Sequence, residues 1–409
     1  MKSKYLLLCI IISLSFIGCA KINSALDTDD IQYLSVNLRA HSVAEGVETT
    51  EGLKVVFENF TEGFRLEYIL KDGVNKIEKL IPGTYSINIT GVTKYNNKQY
   101  YLIGSKINHV IVKDGEYIDI DVNGASVGPL AFSEIFYAGT SPFYFRNQFY
   151  EITNNSDEIV YLDGLYFANL YPSTATTNLP TWPTEDGNRY VYAERVWKIP
   201  GDGTTYPLAP GESFSIAQFA ANHKLPQYNP NSPIDCSTSE FEFNMDNPNF
   251  PDQPATDMIH VFYNGSASKG TLPQYLTSVF GGAYVIFRVP EGESYDPVND
   301  PNMRTRDLGT TSTNQYAKIP IRYIIDGVEA GHNESMISAK RVASVVDAGM
   351  TYVGATYNSL GVRRKKVGTR EDGTPILQDT NNSTEDFERM VVPAFRFYNQ
   401  GIPSWSSAN

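Results

Sequence analysis

Few residues of this chain combine a reactive side-chain type with a spacing that could support catalysis or metal binding. His223 and Cys236 lie in one polar segment, and a cysteine nucleophile with a histidine base is an established catalytic arrangement. Because the two groups must meet in space, their nearness in sequence is weak support, and we interpret Cys236 as a small buried residue. His332 and Glu334 are two positions apart, which in a strand places both on one face, where a metal pair is geometrically feasible. The commoner reason for such a pair is a hydrogen-bonded surface histidine.

The segment DTNNSTEDF near the C-terminus concentrates oxygen-bearing side chains. Asp379, Asn381, Asn382 and Asp386 could together ligate Ca²⁺, because closely spaced carboxylate and amide oxygens suit a hard cation. The segment lacks the glycine and the final glutamate of an EF-hand loop. Asx turns, in which such side chains accept hydrogen bonds from nearby backbone amides, explain the same residues. We therefore predict no metal site and keep Asp379, Asn381 and Asp386 as a weak calcium candidate.

No catalytic or nucleotide-binding motif of the sequence has the structural context that it requires. The string GASVG at residues 124–128 has the spacing of Gly-x-Ser-x-Gly, but it lies in a small, turn-rich segment rather than between a strand and a helix. There is no phosphate-binding glycine loop before a helix and no His-Glu-x-x-His. We therefore predict a protein that is not an enzyme, with no catalytic residues and no cofactor. The alternative is a surface hydrolase acting on glycan or peptide, which would require two carboxylates or a Cys-His pair to converge in one cleft.

The N-terminus has the pattern of an export signal. Lys2 and Lys4 precede an uncharged, apolar run over residues 5–18, which ends at Cys19. This run is too short to span a bilayer of about 30 Å as a helix. It resembles a bacterial lipoprotein signal, and the resemblance implies cleavage of residues 1–18 and acylation of Cys19. The polar, acidic residues 19–32 are then a flexible tether between the lipid and the folded part.

Charge and cysteine content limit the partners and the means of stabilisation. The formal net charge is −13, so binding to nucleic acid through a basic surface is not expected. Of the three cysteines, one lies in the signal and one is the lipidation site, which leaves Cys236 without a disulfide partner. The mature chain must therefore be stabilised by its core rather than by covalent bridges.

Composition and periodicity predict an all-β chain of two sandwich domains. Aromatic residues make up 12% of the chain, and 31 Gly with 23 Pro supply turns. Over residues 33–125, short segments such as YLSVNLRA and GLKVVFENF alternate apolar and polar residues, as paired antiparallel strands do. The segment LIPGTYSINI, with a turn at Pro82-Gly83, resembles the carboxypeptidase regulatory-like module, which is a transthyretin-like sandwich.

The second predicted domain covers residues 126–409. The segments LAFSEIF, FYEITN and LDGLYF, followed by LAPGESFSIAQ and AYVIFRV, predict further strands. In this order they resemble the lamin-tail domain, an immunoglobulin-like sandwich. Three insertions interrupt the resemblance, at residues 168–206, 220–258 and 293–318, and we interpret them as long loops, which are often functional.

The segment VRRKKVGTR is the one basic cluster of this acidic chain. It could pair with an acidic partner or with lipid head groups. The simpler interpretation is a solvated edge strand, in which Arg363, Arg364, Lys365, Lys366 and Arg370 discourage aggregation.

A signal, a regulatory-like module and an elaborated lamin-tail-like sandwich together resemble the DUF4876 lipoproteins of Bacteroidetes. The resemblance implies an accessory role at the cell surface or on the periplasmic face of the outer membrane, and it does not identify a ligand. Our leading hypothesis is an outer-membrane lipoprotein on the cell surface that acts as a ligand-binding or accessory subunit of a TonB-dependent uptake system. Rigid aromatic side chains provide contact area at low entropic cost, so we predict that the ligand is contacted by the aromatic residues of the first insertion, Trp182, Tyr190, Tyr192 and Trp197. Besides the hydrolase, a structural or adhesive spacer is the alternative, and it predicts packed insertions without a pocket.

Overall fold

The computed structural model describes residues 32–408, apart from residues 45, 96, 97, 126 and 177. The predicted signal, Cys19 and nearly all of the predicted tether lie outside the described residues. Within the described part, no helix has the length and apolar character that crossing a membrane requires.

The first part of the chain, which we call the N-terminal unit (β1–β7), is one seven-stranded sheet in the order β3-β2-β5-β6-β7-β1-β4. Neighbouring strands are antiparallel except for β1 and β7, which run parallel. The strands are β1 (Leu34–Ser42), β2 (Lys54–Asn59), β3 (Phe64–Ile69), β4 (Val74–Leu80), β5 (Gly83–Tyr95), β6 (Lys98–Ile111) and β7 (Glu116–Ala125).

Alternation of apolar and polar residues places one face of this sheet in a core of its own. Val55, Phe57, Ile87 and Ile89 are fully buried in it, as their spacing of two predicts. The turn before β5 is closed by Tyr85, whose hydroxyl donates a hydrogen bond to the Ile81 carbonyl over 2.7 Å. The strand VNKIEKL (β4) had no assignment from the sequence, because its polar residues conceal the buried positions.

The rest of the chain, the C-terminal unit (β8–β26), is a sandwich of two large sheets. The seven-stranded sheet, in the order β16-β15-β14-β9-β8-β23-β26, consists of β8 (Leu130–Phe136), β9 (Phe149–Asn154), β14 (Ser213–Ala217), β15 (Phe241–Glu242), β16 (Thr256–Asp257), β23 (Gly361–Arg364) and β26 (Phe387–Val391). The eight-stranded sheet consists of β11 (Tyr166–Leu170), β12 (Tyr190–Lys198), β17 (Ile259–Tyr263), β18 (Ala283–Phe287), β19 (Arg304–Thr305), β20 (Tyr316–Pro320), β21 (Ile324–Gly331) and β22 (Thr351–Tyr352).

Short elements complete the C-terminal unit. Two strand pairs lie outside the sandwich: β10 (Val160–Tyr161) with β13 (Pro207–Leu208), and β24 (Lys366–Thr369) with β25 (Pro375–Leu377). The α-helix α1 spans Ser383–Asp386, and 3₁₀ turns span Thr184–Asp186, Pro301–Met303, Ile321–Tyr323 and Glu334–Ala339. The prediction of an all-β chain is confirmed.

Both faces of the eight-stranded sheet are buried. Phe167, Trp197 and Ile286 face the other sheet, while Val285 and Phe287 pack on a second core on the opposite side. A strand that is covered on both faces reads as a continuous apolar run, which explains why AYVIF does not alternate.

The interpretation of the insertions as long loops is wrong in part. The first insertion contains β12, which pairs with β11, β17 and β20 and is therefore a central strand of the eight-stranded sheet. The second contains β15 and β16, and the third contains β19 and the start of β20. Tertiary pairing forms these strands. They could not be predicted, because most of them are two residues long and have no detectable periodicity.

The basic segment is not a solvated edge strand. Strand β23 lies between β8 and β26, and the side chains of Arg363 and Arg364 are almost fully buried. Arg363 donates to Glu134 over 2.6 Å. Arg364 contacts Asp326 over 2.7 Å, as well as Asp379 and Asp386. Buried charges require partners, and the carboxylates that supply them are distant in sequence.

Replacement of Arg364 by Gln should lower the free energy of unfolding by about 3–5 kcal/mol, because it leaves three buried carboxylates without their cation. Urea denaturation followed by circular dichroism measures this change. Lys366→Gln, on an exposed side chain of the same basic segment, is the matched control and should change the value by less than about 0.5 kcal/mol. Equal effects of the two substitutions would contradict the role of Arg364.

Candidate functional site

A cleft with a volume of about 690 Å³ lies between the two units. We call it the inter-unit cleft. Its walls are formed by strands β6 and β7, by residues 179–192 of the first insertion, and by residues 338–345, which we call the strap. Clefts of this size between domains are frequent sites of ligand binding.

Aromatic side chains form one wall of the inter-unit cleft. Trp182 stacks on Tyr192, with ring centroids 3.9 Å apart and planes 12° from parallel. Behind them, Tyr171 stacks on Tyr316 at 3.9 Å, and Trp182 meets Tyr316 edge-on at 5.6 Å. Such packing leaves these rings little freedom, so a ligand would meet a preformed aromatic surface.

A buried carboxylate holds this wall in place. Asp186 is 3% exposed, accepts a hydrogen bond from the Tyr192 hydroxyl over 3.0 Å and forms an ion pair with Lys318. The Lys318 ammonium lies 4.3 Å from the ring centre of Tyr190. Burial, followed by the hydrogen bond to Asp186, raises the pKa of Tyr192, so its hydroxyl remains a donor at neutral pH.

The facing wall, from the N-terminal unit, is polar. Ser105 and Lys106 on β6 and Asp119 and Asp121 on β7 line the cleft. Arg39 forms an ion pair with Asp119 over 2.7 Å, and its hydrogen bonding lowers the pKa of that carboxyl. The cleft therefore combines an aromatic face with hydrogen-bonding groups of both charges.

The strap is positioned by a second buried carboxylate. Glu329 on β21 accepts hydrogen bonds from the backbone amides of Arg341 and Val342 over 2.6 and 2.8 Å, and pairs with the Arg341 guanidinium. Beside it, the Nζ atom of Lys340 is buried and has no hydrogen-bond partner among the described residues. A buried ammonium without a partner is costly, so the strap carries an unsatisfied donor at the cleft wall.

Three of the four predicted contact residues, Trp182, Tyr190 and Tyr192, line the inter-unit cleft. The fourth, Trp197, does not. It is 0% exposed in the sandwich core, against Phe243, His260 and Tyr275. Trp197 therefore cannot meet a ligand, because its side chain on β12 points toward the opposite sheet. The residues of β12 that line the cleft, Tyr190 and Tyr192, are at the start of the strand.

The weak calcium candidate has a different use in the structure. Asp379 and Asp386 contact the Arg364 guanidinium at 3.1 and 3.3 Å, so an arginine occupies the position that a cation would take. Asn381 adopts a left-handed backbone conformation with φ of 53°. Asn382 caps helix α1 by accepting a hydrogen bond from the Thr384 amide. Asn382 thus has the Asx-capping role that we gave as the explanation without a metal.

The residues considered for nucleophilic or metal chemistry are not arranged for it. His223 bonds Tyr144 and the Phe219 carbonyl, and burial lowers its pKa to about 4. Burial raises the pKa of the Cys236 thiol, which suppresses the reactive thiolate. β21 ends at Gly331, so His332 and Glu334 do not share a strand face, contrary to the premise of a metal pair.

Sequence reasoning missed one cluster of acids on the seven-stranded sheet. Glu242, Asp252 and Asp257 place carboxylate oxygens within 4.8 Å of one another. The backbone amides of Ala220 and Gln253 donate to Glu242, and Asn244 donates to both aspartates. These donors already satisfy the carboxylates, so the cluster serves the local fold. No motif could reveal it, because β15 and β16 bring the residues together.

The fold and the site define a class of protein: an all-β protein of two sheet-built units with an aromatic cleft between them. The family described as "Protein of unknown function (DUF4876)" matches residues 209–394. A crystal structure of a DUF4876 family protein from Bacteroides thetaiotaomicron is 54% identical, covers 92% of this chain and 100% of the solved chain, and has a TM-score of 0.68. The chain therefore belongs to the DUF4876 family, as its sequence predicted. No curated protein matches it.

The acid cluster predicts how stability depends on pH. Burial, with the neighbouring aspartates adding to it, raises the pKa of Glu242 from 4.5 to about 7 in the folded state. Between about pH 4.5 and 7 the folded state therefore holds a proton on Glu242 that the unfolded state has lost. The free energy of unfolding falls as pH rises through this range, because the unfolded state then binds fewer protons than the folded state. Relative to wild type, Glu242→Gln should gain on the order of 2–3 kcal/mol of unfolding free energy between pH 5 and 8.

Urea denaturation at a series of pH values measures this difference. Glu291→Gln, which neutralises an exposed glutamate, is the control and should show no comparable dependence on pH. A constant difference between Glu242→Gln and wild type across this range would show that Glu242 does not titrate as described.

Proposed function

We propose that this chain is a non-enzymatic, ligand-binding lipoprotein of the bacterial outer membrane and an accessory subunit of a TonB-dependent uptake system. The inter-unit cleft is its binding site, and Trp182, Tyr190 and Tyr192 are its contact residues. The observation that carries the proposal is that these three side chains, from one insertion, line a single cleft of about 690 Å³.

The composition of the cleft supports a ligand with both a flat apolar face and polar groups. Stacked Trp182 and Tyr192 offer the aromatic face, and Ser105, Lys106 and Asp121 offer hydrogen-bond donors and acceptors opposite. Saccharides and peptides have this combination of faces. The unsatisfied Lys340 ammonium adds a donor whose burial cost a bound acceptor would offset.

Location is supported by the sequence pattern and by the family. The lipoprotein-like signal before Cys19 supports an acylated N-terminus, which holds the protein at a membrane when several chains are attached. The similarity to a protein from Bacteroides thetaiotaomicron supports a bacterial envelope of the same type. We further propose that residues 33–125 are a carboxypeptidase regulatory-like module and residues 126–409 an elaborated lamin-tail-like domain.

Each alternative has less support than the proposal. In the part of the chain that the structure describes, the carboxylates of the acid cluster accept hydrogen bonds from amide donors, and burial raises the pKa of the Cys236 thiol, so neither group is prepared for the nucleophilic role that a hydrolase requires. A spacer predicts packed insertions without a pocket. The second insertion packs Phe241 and Phe243 into the core, but the first lines the cleft.

Ligand entry should change the fluorescence of Trp182, which is the one tryptophan that lines the cleft; Trp197 is in the core and Trp405 packs on Tyr206. We expect at least one member of a panel of neutral oligosaccharides and dipeptides to give a saturable change with the wild-type protein. Trp182→Phe should abolish that change, because it removes the reporter and part of the contact surface.

Trp405→Phe is the matched control and should retain the change, since its ring packs on Tyr206, away from the residues of the cleft. A saturable change that survives in Trp182→Phe would place binding elsewhere. If no member of the panel binds, the spacer becomes the preferred function.

Acylation and partnership are tested together on the full-length protein expressed in its native envelope. Mass spectrometry should find an N-terminus that begins at acylated Cys19, and purification from detergent-solubilised outer membranes should recover a TonB-dependent transporter. Cys19→Ala should lose both, because the lipid is needed to reach the membrane. An uncut, unmodified N-terminus, or a wild-type preparation without a transporter, would refute the corresponding part of the proposal.

A further inference from the structure

A second groove, of about 400 Å³, lies on the C-terminal unit and shares no lining residue with the inter-unit cleft. One side is the turn 143–146, and the other is the segment 272–276 together with Phe250. We call it the Arg146 groove. Most of its lining side chains are aromatic or aliphatic, and Arg146 is the basic group among them.

The Arg146 guanidinium is enclosed by aromatic rings. Its centre lies 4.3 Å from the ring centre of Phe250, 4.8 Å from that of Phe219 and 5.3 Å from that of Tyr228. Its Nε donates to the Gln274 side-chain oxygen over 3.0 Å, which links the two sides of the groove. The guanidinium is thus fixed in position, with its terminal nitrogens still available.

Arg146 also differs from the other arginines in the described part of the chain. Each of the others that is at least partly buried donates to a carboxylate or to a backbone carbonyl, as Arg396 does to Glu240 and Arg288 to the Asp163 carbonyl. Arg146 has neither, and no carboxylate among the described residues forms an ion pair with it. Partial burial of a cation without an anion is unfavourable, so the site is prepared for an anion from outside.

The rim of the groove presents an exposed aromatic side chain on a strained backbone. Phe143 is 78% exposed, its φ is 49°, and it packs edge-on against Tyr357, whose φ is 54°. Paired backbone hydrogen bonds between Thr140 and Tyr144 close the turn. Positive φ is unfavourable for residues other than glycine, and such strain is concentrated at functional sites.

We propose that the Arg146 groove binds a segment of a partner protein in which an acidic side chain is flanked by apolar ones. The carboxylate pairs with the terminal nitrogens of Arg146, and the flanking side chains pack on Phe143 and Leu272, which are exposed in the unbound protein. Charge complementarity identifies the occupant, since the groove offers an unpaired cation between apolar walls. This site is separate from the cleft of the proposed function.

The test measures the affinity of the full chain for the labelled peptides acetyl-Phe-Asp-Phe-amide and acetyl-Phe-Asn-Phe-amide by fluorescence anisotropy. The acidic peptide should bind at least tenfold more tightly than its neutral counterpart. Arg146→Gln should abolish that preference, whereas Arg306→Gln, which removes an exposed arginine outside the groove, should retain it. Phe143→Ser, at an exposed position, should weaken both peptides several-fold without affecting the core.

Three results would overturn the proposal: equal affinity for the two peptides, no binding at millimolar concentration, or a preference that survives in Arg146→Gln. If Arg146→Gln fails to fold, the proposal is tested by the affinities of the wild-type protein for the two peptides and by the effect of Phe143→Ser on them. Loss of the preference in Trp182→Ala instead of Arg146→Gln would assign the peptide to the inter-unit cleft and refute this site while leaving the proposed function standing.

Discussion

The Arg364 guanidinium lies where the two sheets of the C-terminal unit meet. It donates to the Phe132 carbonyl on β8, contacts Asp326 on β21 of the opposite sheet, and pairs with Asp379 and Asp386 at the C-terminal segment. Asp326 in turn accepts the Phe132 amide over 2.7 Å. Cys236, the one cysteine among the described residues, is not in a disulfide. This buried network of charges restricts how the sheets can be placed relative to each other, because a different placement would separate the charges from their partners.

The same network extends to the wall of the inter-unit cleft. Asp386 ends helix α1, and Ser383 at the start of that helix donates to Asp347 over 2.6 Å. Asp347 accepts the backbone amide of Glu329, which holds the strap through Arg341. A series of hydrogen-bonded, buried carboxylates therefore connects the sandwich core to the strap, which forms one side of the candidate binding site.

Much of the fold could be predicted from the sequence, and the aromatic wall of the inter-unit cleft could be predicted in part. Strands with two-residue alternation or long apolar runs, such as β1, β5 and β18, were predicted near their observed bounds. Trp182 and Trp197 belong to one insertion and looked equivalent, yet one lines the cleft and the other is fully buried. Only the pairing of β12 with three neighbours distinguishes them, and the sequence does not encode that pairing locally.

By itself, the sequence determined the all-β character and the family, because these follow from local periodicity, composition and short patterns. Tertiary structure decided which charges are buried, which aromatic residues face a cavity, and that Arg146 forms no ion pair with any carboxylate of the described residues. These properties depend on residues far apart in the chain: Arg364 and Phe132 are in contact although 232 positions separate them. Burial and pairing arise from the three-dimensional arrangement of strands, which no local pattern contains.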